Sequence, residues 1–283
     1  MSSVYLSFDF ISPCFAVQQA QPLVRPKKKL GQHFLKDQNI ARKIVDLFTA
    51  FGDPELLLEI GPGTGVLTRL LLEKKLCRFL AADVDSESIA FLKQEFPAHG
   101  DKFVLQDFLA WAPQKEGVKR LAVIGNFPYN ISSQIFFHIL EMDAEVTEVV
   151  CMLQREVARR IASGPGTRDY GILSVLLQSR YEVKYAFTVD EHVFDPPPKV
   201  KSGVIRLELH MGKTLPCAFA NLQKVVKQAF NMRRKTLRNA LKGLGIPKQL
   251  PEPKWLDMRA EQLHVSEFEQ LTACYEREGI LKP

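Results

Sequence analysis

Four consecutive residues, Asn126-Phe127-Pro128-Tyr129, set a polar side chain, a carbonyl held by the following proline and an aromatic ring side by side. That combination suits a planar amine. The exocyclic nitrogen of adenine is a poor nucleophile because its lone pair is delocalised into the ring. Two acceptors, the Asn126 side-chain oxygen and the Phe127 carbonyl fixed by Pro128, can hold its two hydrogens and turn the lone pair toward an electrophile. No strong general base is required, because the alkylated nitrogen is acidic enough to lose its proton to solvent. Tyr129 would stack on a base that is unpaired or flipped out of its helix, a contact worth roughly 1–3 kcal/mol. Alone, the tetrapeptide is equally compatible with an ordinary turn.

A second group lies upstream. Glu59-Ile60-Gly61-Pro62-Gly63-Thr64-Gly65 follows an apolar run and precedes a helical pattern. Glycines at Gly61 and Gly63 permit a tight turn and close approach of a ligand to backbone N–H groups at a helix N-terminus. The spacing is G-x-G-x-G, not the dinucleotide G-x-G-x-x-G, so the helix-packing glycine of that fingerprint is displaced. Asp83 then stands where a carboxylate can accept both hydroxyls of a ribose, and Asp107 follows the next apolar run. The glycine turn by itself is also what a plain loop looks like; the turn and two acids in register are far more specific.

The elements that must position these residues can be read from periodicity. Apolar, β-rich runs predict strands at Leu56–Ile60, Arg78–Asp83, Lys102–Leu105, Leu121–Gly125, Val146–Leu153, Glu182–Val189 and Val204–Leu209. Helical spacing follows Asp37, a predicted N-cap, and recurs at Gly65–Lys75, Ser86–Phe96, Ser132–Glu141, Arg155–Ala162 and Ile172–Arg180. Strand and helix alternating, with nearly all-apolar strands, predict an α/β fold with a mostly parallel sheet covered on both faces. The glycine turn and both acids then fall at carboxyl ends of strands, where such sheets bind ligands. After about His210 the pattern changes. Leu222–Leu241 reads as one long helix, and a last helix is expected from Ser266, where Ser266 and Glu269 have capping-box spacing. Residues 23–210 therefore read as a catalytic domain and 211–283 as a small all-helical domain. Residues 1–22, apolar but without Lys or Arg, read as a disordered extension or the product of a misplaced start codon, with a targeting signal the minor alternative.

Composition narrows the classes. The chain has 283 residues, 46% hydrophobic and 25% charged, which excludes disordered, collagenous and membrane-protein readings. Five cysteines and six histidines lack ligand spacing, so neither a disulfide framework nor a metal site is expected. No apolar stretch approaches the roughly 20 residues that span a bilayer, and a cytoplasmic location is expected. The net charge of +6 suggests a polyanionic partner. Residues 211–283 carry 13 basic and 7 acidic side chains, the whole of that excess. The expectation is that this segment supplies phosphate contacts, with Arg233, Arg234, Lys235 and Arg238 foremost, while a neutral catalytic domain reads the base.

From about residue 25 onward the sequence resembles the KsgA family of ribosomal RNA adenine dimethyltransferases. The residues that carry the resemblance are Gly31-Gln32-His33-Phe34-Leu35-Lys36-Asp37, LEIGPGTGVLT (Leu58–Thr68), Asp83, Asp107, NFPYNISS (Asn126–Ser133), QREVARRI (Gln154–Ile161), YGILSVLLQ (Tyr170–Gln178), FDPPPKVKS (Phe194–Ser202) and RRKTLRNAL (Arg233–Leu241). The resemblance implies a Rossmann-like, S-adenosyl-L-methionine-dependent methyltransferase with a helical tail domain. It implies dimethylation of N6 of two adjacent adenines in the 3′-terminal hairpin loop of 16S small-subunit rRNA, coupled to subunit maturation. The implied partners are the small ribosomal subunit and its rRNA, with the enzyme a monomer. It also implies that His33 and Leu35 border the cofactor, Gly61 meets its methionine end, Asp83 takes the ribose and Asp107 the adenine amino group. Asn126 lies between cofactor and target, and Phe194 forms a second aromatic wall opposite Tyr129, presented by the rigid Asp195-Pro-Pro-Pro stretch. Two departures stand out: Asp83 replaces the more usual glutamate, and Phe127 the usual Leu or Ile.

Rival readings remain at this stage. A sister group of large-subunit rRNA methyltransferases that confer antibiotic resistance shares the cofactor and Asn-x-Pro-Tyr motifs, and a non-catalytic ribosome-assembly factor would share the RNA-binding surface. Arg155, Arg159 and Arg160 fit either a solvated or an RNA-contacting helix face. His138, on a largely apolar helix, reads as packed rather than catalytic.

Overall fold

A computed structural model describes residues 24–113, 117–142 and 144–282; the expectation for residues 1–22 lies outside them. In chain order come β1 (Phe34–Leu35), α1 (Gln38–Leu47), β2 (Leu56–Ile60), α2 (Val66–Lys74), β3 (Arg78–Asp83), α3 (Ser86–Glu95), β4 (Phe103–Leu105), β5 (Arg120–Asn126), α4 (Ser132–Glu141) and β6 (Glu145–Gln154). Then follow α5 (Arg155–Ala162), α6 (Ile172–Arg180), β7 (Tyr181–Val189), β8 (Phe194–Asp195) and β9 (Ser202–Leu209). The principal sheet has seven strands in the order β4-β3-β2-β5-β6-β9-β7. Strands β4 to β6 of that order run parallel, while β9 is antiparallel to both its neighbours.

The strands are buried on both faces because helices cover both. Leu58, Ile60, Leu121, Val123, Val149 and Cys151 join one apolar cluster, whereas Leu57, Ala122, Ile124, Val150 and Met152 join the other. That division is the period-two alternation of a strand. Asp37 caps α1 as its sequence position predicts, its Oδ1 accepting from the N–H groups of Asn39 and Ile40 at 2.8 and 3.0 Å.

Beyond β9 lie α7 (Phe219–Asn231), α8 (Leu237–Ala240) and α9 (Val265–Arg277). Two expectations are corrected here. The single helix over Leu222–Leu241 is broken after Asn231, because Thr236 makes a β-bridge with Arg259 and the Leu237 N–H donates to the Met258 carbonyl at 2.8 Å. The last helix begins one residue before Ser266: His264 is its N-cap and donates its N–H to Glu267, while Glu269 accepts from Lys213. The apolar residues of these helices, among them Leu222, Val225, Phe230 and Phe268, belong to the same cluster as Tyr170 and Leu176 beneath the sheet.

Candidate active site

Four adjacent strands deliver the site. β4 leads to Asp107, β3 ends at Asp83, β2 runs into the glycine turn, and β5 ends at Asn126. These are carboxyl ends of parallel strands, and the chain order reverses between β2 and β5, which is where open α/β sheets bind ligands. With strands about 4.8 Å apart, Asp107 and Asn126 lie roughly 14 Å from each other across the row. A cavity of about 230 Å³ runs along it, lined by Gly61, Gly63, Asp83, Asp107, Asn126, Phe127, Pro128 and Tyr129 among others.

The glycine turn is built for close approach. Gly63 has φ +54°, and a Cβ there would fall 2.7 Å from the Phe34 ring. Gly125 explains a residue that sequence reasoning passed over: β2 and β5 run so close that a Cβ on it would penetrate the Ile60 carbonyl oxygen. Below the turn, Glu59 is fully buried and accepts a hydrogen bond from the Thr68 hydroxyl at 2.7 Å. Burial, with the nearby Asp83 charge, pushes its carboxyl up to about 8 in spite of that bond. Asp83 is also raised by burial, against hydrogen bonds from backbone N–H groups including those of Asp85 and Gly63.

Asn126 is held by one end only. Its Nδ2 donates to the His33 carbonyl at 2.9 Å, while its Oδ1 is buried with no hydrogen-bond partner among the described residues. A buried acceptor left unpaired costs free energy, so this oxygen is aimed at a donor that arrives with a ligand. Phe127 is pinned by donating its N–H to the Met152 carbonyl at 2.9 Å, which fixes the carbonyl that precedes Pro128. Tyr129 hydrogen-bonds the Ser202 hydroxyl, and burial raises its phenol pKa against that bond.

A strap formed by residues 27–34 crosses the cavity, contributing Leu30, Gly31, Gln32, His33 and Phe34 to its wall. It is buckled at one end to Asp85, which is itself buried: Lys27 Nζ lies 2.6 Å from Asp85 Oδ1, and Gln32 Nε2 lies 3.2 Å from Oδ2. Burial opposes ionisation of Asp85, but these two partners and the Glu87 N–H outweigh it and hold the carboxyl below the usual range. At the other end β1 pairs with β8, and His33 Nδ1 donates to the Pro196 carbonyl at 2.8 Å. Sequence reasoning missed Lys27 and Asp85, and it gave no role to Gln32 and Ser202, which lie inside motifs it did single out. The signal for Asp85 was its place just before the α3 pattern, where it accepts from the Glu87 N–H as N-cap.

Two expected placements differ, those of Phe194 and Arg233. Phe194 does not face Tyr129 across the cavity; it is 1% exposed and packs in the core beneath the strap, because β1–β8 pairing turns it inward against Leu35. The ring beside Tyr129 is His33, with centroids 5.5 Å apart. Leu35 is likewise buried, lining a small adjoining cavity with Gly61 and Gly63 rather than the main one. In the tail, Arg233 is turned inward: its Nε lies 2.6 Å from Glu261 Oε2, and its Nη2 donates to the Thr167 and Arg168 carbonyls. Arg238 pairs with Asp257 at 3.0 Å, while Arg234 and Lys235 are exposed. His138 is packed as expected, bonding the Trp111 carbonyl and meeting Phe108 edge-on.

Among the described residues, no group of three or more His, Cys, Asp or Glu is placed to hold a metal ion, and no helix is long and apolar enough to cross a membrane.

The glycine cradle, the acids on consecutive strand ends and the unpaired Asn126 oxygen fit a nucleoside with an amino-acid tail. The fold and site are those of a Rossmann-like, S-adenosylmethionine-dependent methyltransferase. The ribosomal RNA adenine dimethylase family model matches residues 24–275, and the chain belongs to that family. A ribosomal RNA small subunit methyltransferase A from Cytophaga hutchinsonii is 51% identical over 255 residues, covering 88% of this chain and 96% of that protein. Its namesake from Bacteroides thetaiotaomicron is 50% identical, covering 88% and 94%. Among solved structures, a dimethyladenosine transferase from Plasmodium falciparum superposes with a TM-score of 0.72 at 26% identity, covering 87% of this chain and 98% of that one. The 23S rRNA methyltransferase ErmE shares the fold, with a TM-score of 0.65 at 23% identity over 85% of this chain and 98% of its own.

Proposed function

We propose that the enzyme transfers methyl groups to N6 of two adjacent adenines in the 3′-terminal hairpin loop of 16S small-subunit rRNA, acting as a cytoplasmic monomer on maturing small subunits. The observation that carries this reading is the buried Asn126 oxygen without a partner, beside a fixed Phe127 carbonyl and the Tyr129 ring. S-Adenosylmethionine, when bound, supplies an electrophilic methyl group. Asp83 would hold its ribose, Asp107 its adenine amino group, and Gly61 and Gly63 the backbone cradle for its tail. Asn126 Oδ1 and the Phe127 carbonyl accept the two N6 hydrogens and turn the nitrogen lone pair toward the cofactor. Tyr129 stacks on the flipped base and keeps water from its face. Most of the catalysis in this scheme is positioning.

In the same reading, residues 23–210 are the catalytic domain and 211–283 the RNA-binding domain, with Arg234 and Lys235 the cations best placed to meet phosphate. The small-subunit assignment is supported by the names of relatives near 50% identity; likeness to ErmE speaks for the fold alone. Incubation with labelled S-adenosylmethionine and unmodified small subunits, followed by nucleoside mass spectrometry, should yield dimethyladenosine in the 3′ hairpin. Binding without product would favour a non-catalytic assembly factor, and product only on large subunits would favour the resistance-type activity.

A further inference from the structure

The balance of charge over the first 210 residues conceals a local extreme. Residues 24–36 carry five basic side chains, Arg25, Lys27, Lys28, Lys29 and Lys36, and no acid. This stretch contains the strap, residues 27–34, that lines the cavity. Lys27 is spent on the buckle, with its Nζ 2.6 Å from Asp85 and 3.0 Å from Glu87. Lys28 and Lys29 are different. Both are exposed, on a single 3-10 turn (Lys28–Leu30), and among the described residues neither is paired with an acid. Gly31, at φ +65°, closes that turn by donating its N–H to the Lys28 carbonyl at 3.0 Å. The very next residues, Leu30 and Gly31, are already cavity wall.

Two ammonium groups without an acid partner among the described residues are therefore carried on backbone pinned at both ends, directly before residues that line the same cavity as Asn126 and Tyr129. A flexible tail would lose most of its electrostatic gain to ordering; this strap is ordered in advance. The partner that fits is the backbone of a single-stranded RNA loop, which must pass the mouth when one of its bases is drawn inside. We propose that Lys28 and Lys29 grip the phosphates flanking the target adenine, so that phosphate contact is shared between the tail and the strap. The inference rests on the RNA-methylating reading above. It also revises the expectation that the catalytic domain is electrostatically neutral toward RNA: the strap that lines the base pocket also carries a phosphate clamp.

The test is the salt dependence of RNA binding by the full-length chain, using an unmodified 3′ hairpin RNA. Each phosphate contact on a single strand contributes about 0.7 to the slope of log affinity against log salt. The double variant Lys28→Gln/Lys29→Gln should have a slope shallower by about 1.4, so that between 50 and 200 mM salt it loses roughly sevenfold less affinity than the wild type. Lys75→Gln, at the far end of α2 from the site, should keep the wild-type slope. Binding of S-adenosylmethionine to the double variant should be unchanged. A wild-type slope in the double variant overturns the proposal, and so does loss of S-adenosylmethionine binding in parallel with RNA binding, which would make the lysines part of the strap's fold. If the wild type does not methylate unmodified small subunits either, the enzymatic reading fails, and the grip with it.

Discussion

Replacing Asn126 with alanine should separate turnover from stability. In the folded protein its Nδ2 donates to the His33 carbonyl at 2.9 Å while its Oδ1 is buried and unpaired. Truncation deletes the bond to His33, worth about 0.5–1.5 kcal/mol net. It also deletes a buried acceptor whose desolvation, of the order of 1–3 kcal/mol, nothing in the apo protein offsets. These changes oppose each other and are similar in size, so the unfolding free energy should stay within about 1 kcal/mol of the wild type. Turnover has no such cancellation. Losing one pre-organised electrostatic partner of the reacting group costs roughly 10²–10³ in kcat, and Phe127 alone cannot orient both N6 hydrogens. S-Adenosylmethionine binding, carried by Asp83, Asp107 and the glycine turn, should largely persist. Urea titration, calorimetric cofactor binding and mass-spectrometric product counting measure the three quantities on the same samples. If cofactor affinity collapses together with turnover, or if the variant loses several kcal/mol of stability, Asn126 is a structural residue and the role assigned to its oxygen is wrong.

Two further outcomes follow from the geometry. Between the ordinary glutamate value of 4.5 and about 8, unfolded Glu59 has lost its proton while folded Glu59 keeps it, so rising pH favours the unfolded chain and stability should decline across that window. Glu59→Gln retains the acceptor for Thr68 and should flatten the decline; parallel pH profiles of urea midpoints for the two proteins would contradict this. Arg233→Ala should cost about 1 kcal/mol, given its half-exposed ion pair with Glu261, and lower Tm by about 2–4 °C while leaving the salt slope of RNA binding intact. Arg234→Ala should do the reverse, and an exchange of these two phenotypes would return Arg233 to the RNA face.

Most of the sheet was legible because each strand is a short apolar run ending in a turn or a functional residue; Leu56–Ile60 and Arg78–Asp83 agree with the structure to the residue. The row of Asp107, Asp83, the glycine turn and Asn126 was equally legible, since each follows the end of a strand and strand ends share one edge. What was not legible depends on partners distant in sequence. A two-residue ribbon such as β1 with β8 has no periodicity to announce it, and that ribbon decides that Phe194 faces inward. The helical pattern of Leu222–Leu241 runs on past Asn231, but the bridge between Thr236 and Arg259 overrides it. Arg233 is chemically as good a phosphate ligand as Arg234; only the position of Glu261 and the Thr167 and Arg168 carbonyls sets them apart. The basic run of residues 24–36 was in plain view, and averaging charge over a whole domain erased it.

The fastening of the strap at Pro196 has a consequence for the life of the chain before it is finished. The bond from His33 spans 163 residues. At about 5–20 residues per second of synthesis, roughly 10–30 s separate the emergence of its two ends. In the later part of that interval the nascent polypeptide already contains the glycine turn, both acids and Asn126, yet lacks Pro196, to which the His33 ring is fastened. The strap can be fastened at this end only after about two thirds of the protein has been made, so the wall of the cavity is completed late in translation.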